Sequence, residues 1–169
     1  VVLDAFAGRF VNRELDGRPA TPALASLADN GLQFPDAQAP ASYTLASIGA
    51  LLTGQEPLTH GLVATLDAQG AFTRLPSDAP RLAAELSARG WLTAAFVTNP
   101  NAGAHHGFAA GFQRFDALYA DEALRRPGRG VHGGVLPARL AGFLAEAGEQ
   151  PFLAWVHVFE PHAPYESPA

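Results

Sequence analysis

A hydroxyl side chain stands at the start of a predicted helix. Thr44 follows a turn that contains proline and serine (39–43, APASY) and opens an apolar segment that runs to Leu52 and stops at Gly54. The first turn of a helix has unpaired N–H groups and the positive end of the helix dipole, which favour negative charge. A nucleophile that receives a phosphoryl or sulfuryl group would be stabilised there. Because threonine is also a preferred capping residue, position alone leaves open whether Thr44 is a nucleophile or an N-cap.

Two more groups that can do chemistry stand where predicted strands end. Asp4 follows the apolar residues 1–3 (VVL). A buried, unpaired carboxylate is costly, so Asp4 needs a cation or several backbone donors. Its position alone leaves open a metal ligand and a capping or loop-bracing residue. His162 follows the last apolar strand between Pro161 and Pro164, and these prolines favour an imidazole held in place over an ordinary surface histidine.

The other histidines are expected to be structural. His60 follows the helix that begins at Thr44 by one turn, and it is interpreted as a brace for its loop rather than as a catalytic base. His105 and His106 lie between glycines, where a mobile loop is more common than a metal ligand. His132 lies among several glycines and is expected at the surface. His157, inside the last strand, is expected to be a buried group with its hydrogen bonds satisfied.

The elements that must position these groups alternate between strands and helices. The predicted order is β-α-(short β)-α-loop-α-β-loop-α-β, from the periodicity of apolar residues and the placement of Gly and Pro. We expect strands at 1–6, 91–98 and 151–159, a short extended piece at 32–37, a loop at 99–111, and helices at 22–30, 44–52, 79–89 (capped by Ser77 and Asp78) and 136–147.

This alternation predicts an α/β fold in which a mostly parallel sheet has helices on both faces. In such folds ligands bind at the carboxyl ends of the strands. Polar residues fall at three of these ends: Asp4, then Thr98 with Asn99, then Glu160 with His162.

The composition indicates one globular domain and excludes several function classes. The 169 residues are 48% hydrophobic and 16% charged, which is typical of a folded domain and not of a disordered chain. The net charge of −5 argues against a nucleic-acid partner. No run of about 18 apolar residues occurs, so no membrane segment is expected. Without cysteine, the chain has no disulfide, no thiolate metal site and no cysteine nucleophile.

Short motifs run through almost the whole chain in a fixed order. They are Asp4 at the end of the first strand, 21–28 (TPALASLA), 31–34 (GLQF), 51–54 (LLTG) with Pro57 and His60-Gly61, 82–98 (LAAELSARGWLTAAFVT), Gly107-Phe108, Gly111-Phe112, Arg114-Phe115-Asp116 and 157–165 (HVFEPHAPY). Each motif is short, but in this order and spacing they resemble the N-terminal part of sulfatases, which belong to the alkaline phosphatase superfamily.

The resemblance implies a doubly wound, alkaline phosphatase-like α/β fold that binds one or two divalent metal ions, with Ca²⁺, Mn²⁺, Zn²⁺ and Mg²⁺ as the candidates. It also implies that residues 1–169 are the N-terminal portion of one sulfatase-like catalytic domain, cut before the C-terminal half that holds the remaining metal ligands.

Carried over residue by residue, the resemblance makes Asp4 a metal ligand and Thr44 both the nucleophile and a metal ligand. His162 becomes the contact to the sulfate or phosphate oxygens. Three residues are expected to bind substrate: Ser47, which matches a serine of the nucleophile motif, Thr98, which stands where many members have lysine, and Asn99.

Several departures from the family pattern bear on the chemistry. Many sulfatases convert Cys or Ser at the nucleophile position to formylglycine, and Thr44 cannot be converted in this way, so formylglycine is not expected. The Pro and the Arg or His that usually follow the nucleophile are Ala46 and Ile48 here. Ala5 stands where a second acidic residue often follows the first strand. Ser42, two residues before the aligned position, is the nearest alternative hydroxyl.

Two functions remain open at this point. The first is a metal-dependent hydrolase or transferase that cleaves a sulfate or phosphate ester of a small molecule, glycan or lipid through Thr44. Threonine members of the superfamily are similar to phosphodiesterases and to phosphoethanolamine or phosphoglycerol transferases, which favours phosphate esters. The second is a catalytically inactive relative that serves as a binding or structural module. Oligomeric state and location (bacterial periplasm, cell envelope or cytoplasm) stay open.

Overall fold

Four parallel strands form the central sheet of the protein. The computed structural model describes residues 1–11, 13–126, 130–131 and 133–163. In chain order the strands are β1 (Val2–Leu3), β2 (Glu14–Leu15), β3 (Arg18–Pro19), β4 (Leu92–Val97), β5 (Arg114–Ala117), β6 (Arg125–Arg126), β7 (Gly130–Val131) and β8 (Phe152–Val158). The sheet has the order β1-β8-β4-β5, and every neighbouring pair in it is parallel. Strands β2 with β3, and β6 with β7, form two small antiparallel pairs.

In the part of the chain that the structure describes, five α-helices connect or cover these strands. They are α1 (Pro22–Asp29), α2 (Thr44–Thr53), α3 (Pro57–His60), α4 (Leu82–Ser87) and α5 (Leu136–Ala147). Helix α2 is the most deeply buried of them, and it ends at Gly54, whose positive φ of 70° lets its N–H bond to the carbonyl of Ala50. None of the helices in the described residues combines the length and hydropathy that a membrane span requires.

The sheet has an apolar core on each face. Successive side chains of a strand point to opposite faces, and β4 follows this rule. Ala95 and Val97 pack into the core that contains α2, while Ala94 and Phe96 pack into the core that contains α5. The predicted α/β fold, a doubly wound parallel sheet with helices on both faces, is therefore confirmed.

Three predicted elements differ from the structure. The piece at 32–37 is not a strand, and its apolar side chains Leu32 and Phe34 are exposed. The helix predicted at 79–89 begins only at Leu82, after Arg81, so Ser77 and Asp78 do not cap it. Within the predicted strand at 1–6, only β1 (Val2–Leu3) pairs with a neighbouring strand.

Strand β5 has no counterpart in the predicted order. It is short, and its two polar residues Arg114 and Asp116 interrupt the apolar pattern that signals a buried strand. Those two side chains form an ion pair at 2.8 Å on this edge strand, which explains how they are accommodated.

Candidate functional site

A cleft of about 940 Å³ opens at the carboxyl ends of β1 and β8 and at the start of α2. This is the edge of the sheet where the alternation of elements predicts ligand binding. Four of the predicted site residues line it: Asp4, Thr44, Ser47 and His162. Thr98 and Asn99 are buried beside this group.

Asp4 and Thr44 meet at the floor of the cleft. The Thr44 hydroxyl donates to the Asp4 carboxylate, with Oγ1 lying 3.1 Å from Oδ1 and 3.2 Å from Oδ2. Tyr43, with extended backbone, occupies the N-cap position, and Thr44 is the first helical residue. The hydroxyl of Thr44 is therefore directed to a carboxylate and does not cap the helix.

Asn99 holds the same carboxylate from the side of β4. Its Nδ2 donates to Asp4 Oδ2, while its Oδ1 accepts a hydrogen bond of 2.9 Å from the N–H of Asn101. The backbone of Asp4 is also fixed, because its N–H donates to the carbonyl of Val158 at 2.9 Å. Asp4 therefore has two side-chain donors and a fixed main chain, as a buried carboxylate requires.

Thr98 joins the ends of β4 and β8. Its hydroxyl donates to the carbonyl of His157 at 2.9 Å and accepts from the N–H of Phe159 at 3.0 Å. The side chain is almost fully buried, with 1% of its surface exposed. In this geometry Thr98 fixes the start of the loop that carries His162.

His162 lies at the exposed rim of the cleft. Its ring stacks on Phe159, with ring centres 4.7 Å apart. Its Nδ1 lies 2.8 Å from the carbonyl oxygen of Ala163, so Nδ1 carries a proton that it donates there. Nε2 is left to face a ligand, and it can donate to an anion only when the ring is protonated.

Two further residues brace the loops around the cleft. Ser47 Oγ donates to the carbonyl of Ala41 at 2.9 Å and so ties helix α2 to the turn before it. Glu160, which follows β8, accepts a hydrogen bond from the N–H of Gly133, ahead of α5.

His157 differs from its sequence prediction in one respect. It is fully buried, as expected, but neither ring nitrogen has a hydrogen-bond partner among the described residues. Its Nε2 lies 3.9 Å from Asp4 Oδ2. Burial lowers the pKa of His157, and the negative charge of Asp4 opposes that shift. Side chains alternate between the two faces of a strand, so His157 lies on the same face of β8 as Trp155, which packs in the core with α2. This alternation is the sequence signal that places the imidazole on the side of the sheet where the site lies.

His60 is the brace that the sequence predicts. Its Nε2 lies 3.1 Å from the carbonyl of Ala46 in the first turn of α2, and its Nδ1 accepts from the N–H of Leu62 at 3.1 Å. The ring is fully buried. His60 therefore fixes α2 relative to the segment after it.

His105 and His106 are not among the residues that line the cleft. His105 and His106 pack against each other, with ring centres 4.3 Å apart, and both pack against Phe72. His106 Nδ1 is 2.7 Å from the carbonyl of Thr73. His132 lies outside the described residues.

The oxygen donors of the site suit a hard divalent cation. Carboxylate and hydroxyl oxygens, such as those of Asp4 and Thr44, are typical ligands of Mg²⁺, Ca²⁺ and Mn²⁺. Within the described ranges, no group of three or more His, Cys, Asp or Glu side chains could hold a metal ion. The two oxygen donors thus fit one side of a cation site and do not complete its coordination.

Comparisons with known proteins agree with this fold. A family model described as Sulfatase matches residues 1–169. Arylsulfatase A from Bos taurus is 40% identical over 79 residues, which are 46% of this chain and 16% of that protein. The solved structure of phosphonate monoester hydrolase SpPMH from Silicibacter pomeroyi superposes with a TM-score of 0.63 and 21% identity, covering 99% of this chain and 42% of that chain. The chain thus spans less than half the length of either relative.

Proposed function

Because this chain belongs to the sulfatase family, we propose that it acts as a metal-dependent hydrolase or transferase that cleaves a phosphate or sulfate ester through Thr44. The observation that carries the proposal is the contact between the Thr44 hydroxyl and the Asp4 carboxylate, at 3.1 and 3.2 Å, at the first residue of α2. A hydroxyl in this place has a carboxylate as its acceptor and a helix N-terminus behind it.

In the proposed reaction, Thr44 Oγ attacks the phosphorus or sulfur atom of the ester. The new bond from Oγ1 forms as the bond to the ester oxygen breaks; the Thr44 hydroxyl releases its proton, and the leaving alcohol takes up one proton, so that the step balances. The unpaired N–H groups in the first turn of α2 stabilise the negative charge on the other oxygens. Water, or an acceptor alcohol in a transferase, then displaces Thr44 and restores its hydroxyl.

Asp4 and Thr44 are the residues that would hold the divalent cation. When bound, such a cation lowers the pKa of a neighbouring hydroxyl and neutralises charge that develops on the ester oxygens. Asn99 supports the cation side of the site, because its amide donor keeps Asp4 in place. The choice among Ca²⁺, Mn²⁺, Zn²⁺ and Mg²⁺ is part of the test below.

His162 and Ser47 are proposed to act on the substrate side of the cleft. Since its Nδ1–H is committed to Ala163, His162 contacts the oxygens of the bound ester through Nε2, which donates to them when the ring is protonated. Ser47 keeps the turn before α2 in position through Ala41. Thr98, expected from the sequence to bind substrate, is buried and is proposed to act instead through the main chain that leads to His162.

Threonine as the nucleophile favours phosphate esters over sulfate esters. A phosphorylated threonine can be hydrolysed by water that attacks phosphorus from the opposite face. A sulfated threonine has no comparable exit, whereas the additional hydroxyl of a formylglycine hydrate permits elimination. We therefore expect the higher turnover with phosphate diesters of small molecules, glycans or lipids.

The test is turnover of an aryl phosphate diester and an aryl sulfate by the full-length protein with Ca²⁺, Mn²⁺, Zn²⁺ or Mg²⁺. We expect Thr44→Ala to lower kcat on the order of 10⁴-fold or more, as loss of a nucleophile does, while Thr44→Ser retains turnover. Ser42→Ala is the matched variant, because the Ser42 hydroxyl belongs to the same cleft lining, two residues before Thr44. Unchanged turnover in Thr44→Ala, or its loss in Ser42→Ala alone, would overturn the assignment.

A non-catalytic binding module is the second candidate function. It is favoured by the apolar side chain of Ile48, which lines the cleft where an anion-binding residue could stand, and by Ala46, which has no polar group. This candidate predicts that the unaltered full-length protein binds an ester without cleaving it. Metal-dependent turnover that is lost with Thr44→Ala excludes it.

A further inference from the structure

His157 lies beside Asp4, and the proposed reaction leaves it without a task. Its side chain is fully buried in β8, and among the described residues both ring nitrogens are unpaired. The His157 and Trp155 rings pack in an edge-to-face arrangement, with ring centres 6.1 Å apart. A buried donor without an acceptor is costly, so such a group in a native protein calls for a specific reason.

The nearest charged acceptor for His157 is the carboxylate of Asp4. Nε2 lies 3.9 Å from Oδ2, and a shift of about 1 Å would bring the two atoms to hydrogen-bond distance. The backbones are already fixed by the ladder, in which Val2 pairs with His157, and by the bond from Asp4 N to Val158. The approach of the two atoms therefore has to come from the side chains.

The Asp4 carboxylate has room for this additional donor. Oδ2 accepts a hydrogen bond from the side-chain amide of Asn99 and is also within hydrogen-bond distance of the Thr44 hydroxyl. A carboxylate has about four lone-pair positions on its two oxygens. A donor from His157 therefore does not have to displace Asn99.

We propose that His157 is a positioning residue whose Nε2–H donates to Asp4 Oδ2 and holds that carboxylate toward Thr44 and the cation. The hydrogen bond itself is independent of the reaction. Its effect on cation binding rests on the proposed function. A ligand-orienting donor of this kind acts through the carboxylate and does not touch the substrate.

Imidazole NMR of the unaltered full chain tests the hydrogen bond directly. Long-range ¹H–¹⁵N correlation is expected to show a proton on Nε2 of His157, shifted downfield and slow to exchange. In Asp4→Asn that proton resonance is expected to move upfield, because a neutral amide oxygen is a weaker acceptor than a carboxylate. His106 is the internal control: it is also fully buried with an unpaired Nε2, and its resonances should stay in place. A His157 Nε2 without a proton, or a resonance that ignores Asp4→Asn, overturns the proposal.

Mn²⁺ affinity, measured by calorimetry, separates positioning from a merely structural role. His157→Leu fills the space without a donor, and we expect it to weaken Mn²⁺ binding roughly 10- to 100-fold, as loss of a ligand-orienting residue does. His157→Gln restores an N–H near the position of Nε2, and we expect it to recover most of the affinity. Equal affinity in the unaltered chain and His157→Leu, or equal losses in both variants, contradicts the proposal. If the unaltered chain fails to bind Mn²⁺, the metal part of the proposed function fails, and the NMR result alone decides on His157.

Discussion

At the residue scale, the site depends on which groups share the Asp4 carboxylate. Thr44 and Asn99 both donate to it, and they come from opposite sides, one from the start of α2 and one from the end of β4. A carboxylate that accepts two side-chain donors in a buried place has a fixed orientation and a stabilised negative charge. That orientation is what a nucleophilic hydroxyl beside it requires.

The Thr98 hydroxyl provides a test of how the site is held. Thr98→Val keeps the shape of the side chain but removes the hydroxyl, just after β4, that accepts a hydrogen bond from the N–H of Phe159. We expect a loss of about 1–3 kcal/mol in the free energy of unfolding, together with a lower kcat, because the loop that carries His162 is released. Chemical denaturation measures the first effect and steady-state kinetics the second.

Thr98→Ser is the control for that substitution, since it keeps the hydroxyl. It should retain most of the unfolding free energy and the kcat. Equal losses in the Val and Ser variants would show that the methyl group matters as much as the hydroxyl, and would contradict the account of this position.

At the scale of elements, the position of Thr44 follows from how α2 is packed. His60 contacts the helix in two ways: it bonds to the carbonyl of Ala46 in the first turn, and its ring lies against the helix at Gly49. A Cβ added at Gly49 would lie 2.6 Å from Cε1 of His60. Gly49 is thus needed for the close approach of the brace, and not for an unusual backbone conformation.

Gly49→Ala is therefore expected to destabilise the protein by about 1–3 kcal/mol through overpacking, although alanine favours helix. The matched variant is Gly142→Ala in α5, where an added Cβ meets no atom of the described residues within 4 Å. There we expect a gain of about 0.5–1 kcal/mol. Thermal or denaturant unfolding of the two variants measures both effects, and a stabilised Gly49→Ala variant would contradict the account of the brace.

How far the sequence predicts these elements depends on their local signals. Strands β4 and β8 are nearly continuous apolar runs, and helix α2 has an apolar segment with a glycine stop, so all three are found close to their observed bounds. Strand β5 is a short edge strand with an ion pair, and it carries no such signal. The start of α4 is misjudged because Ser77 and Asp78 are typical capping residues that here belong to the preceding turn.

At the scale of the whole molecule, the site is assembled from segments that are far apart in sequence. Asp4 contacts a side chain 40 residues away and another 95 residues away. The parallel order β1-β8-β4-β5 brings these segments to one edge, because it places the ends of β1, β8 and β4 side by side. The residue types and the edge at which they meet are predictable from the sequence.

The contacts within the site are less predictable than its location. Strand order is set by long-range pairing, so the sequence does not indicate that β8 lies between β1 and β4 or that His157 faces Asp4. The local pattern also places Thr98 and Asn99 at a strand end. It does not reveal that the Thr98 hydroxyl bonds to the main chain or that the Asn99 amide donates to Asp4. These details emerge only when the sheet is assembled.

The central claim is that Thr44 becomes covalently attached to the group it transfers. Its most direct test is rapid acid quench of the full-length protein during turnover of an aryl phosphate diester with Mn²⁺, followed by peptide mass spectrometry. The account predicts a phosphoryl-bearing peptide modified at Thr44, which is lost in Thr44→Ala. Modification at Ser42 or at any other side chain, or turnover that proceeds without a modified peptide, would contradict it.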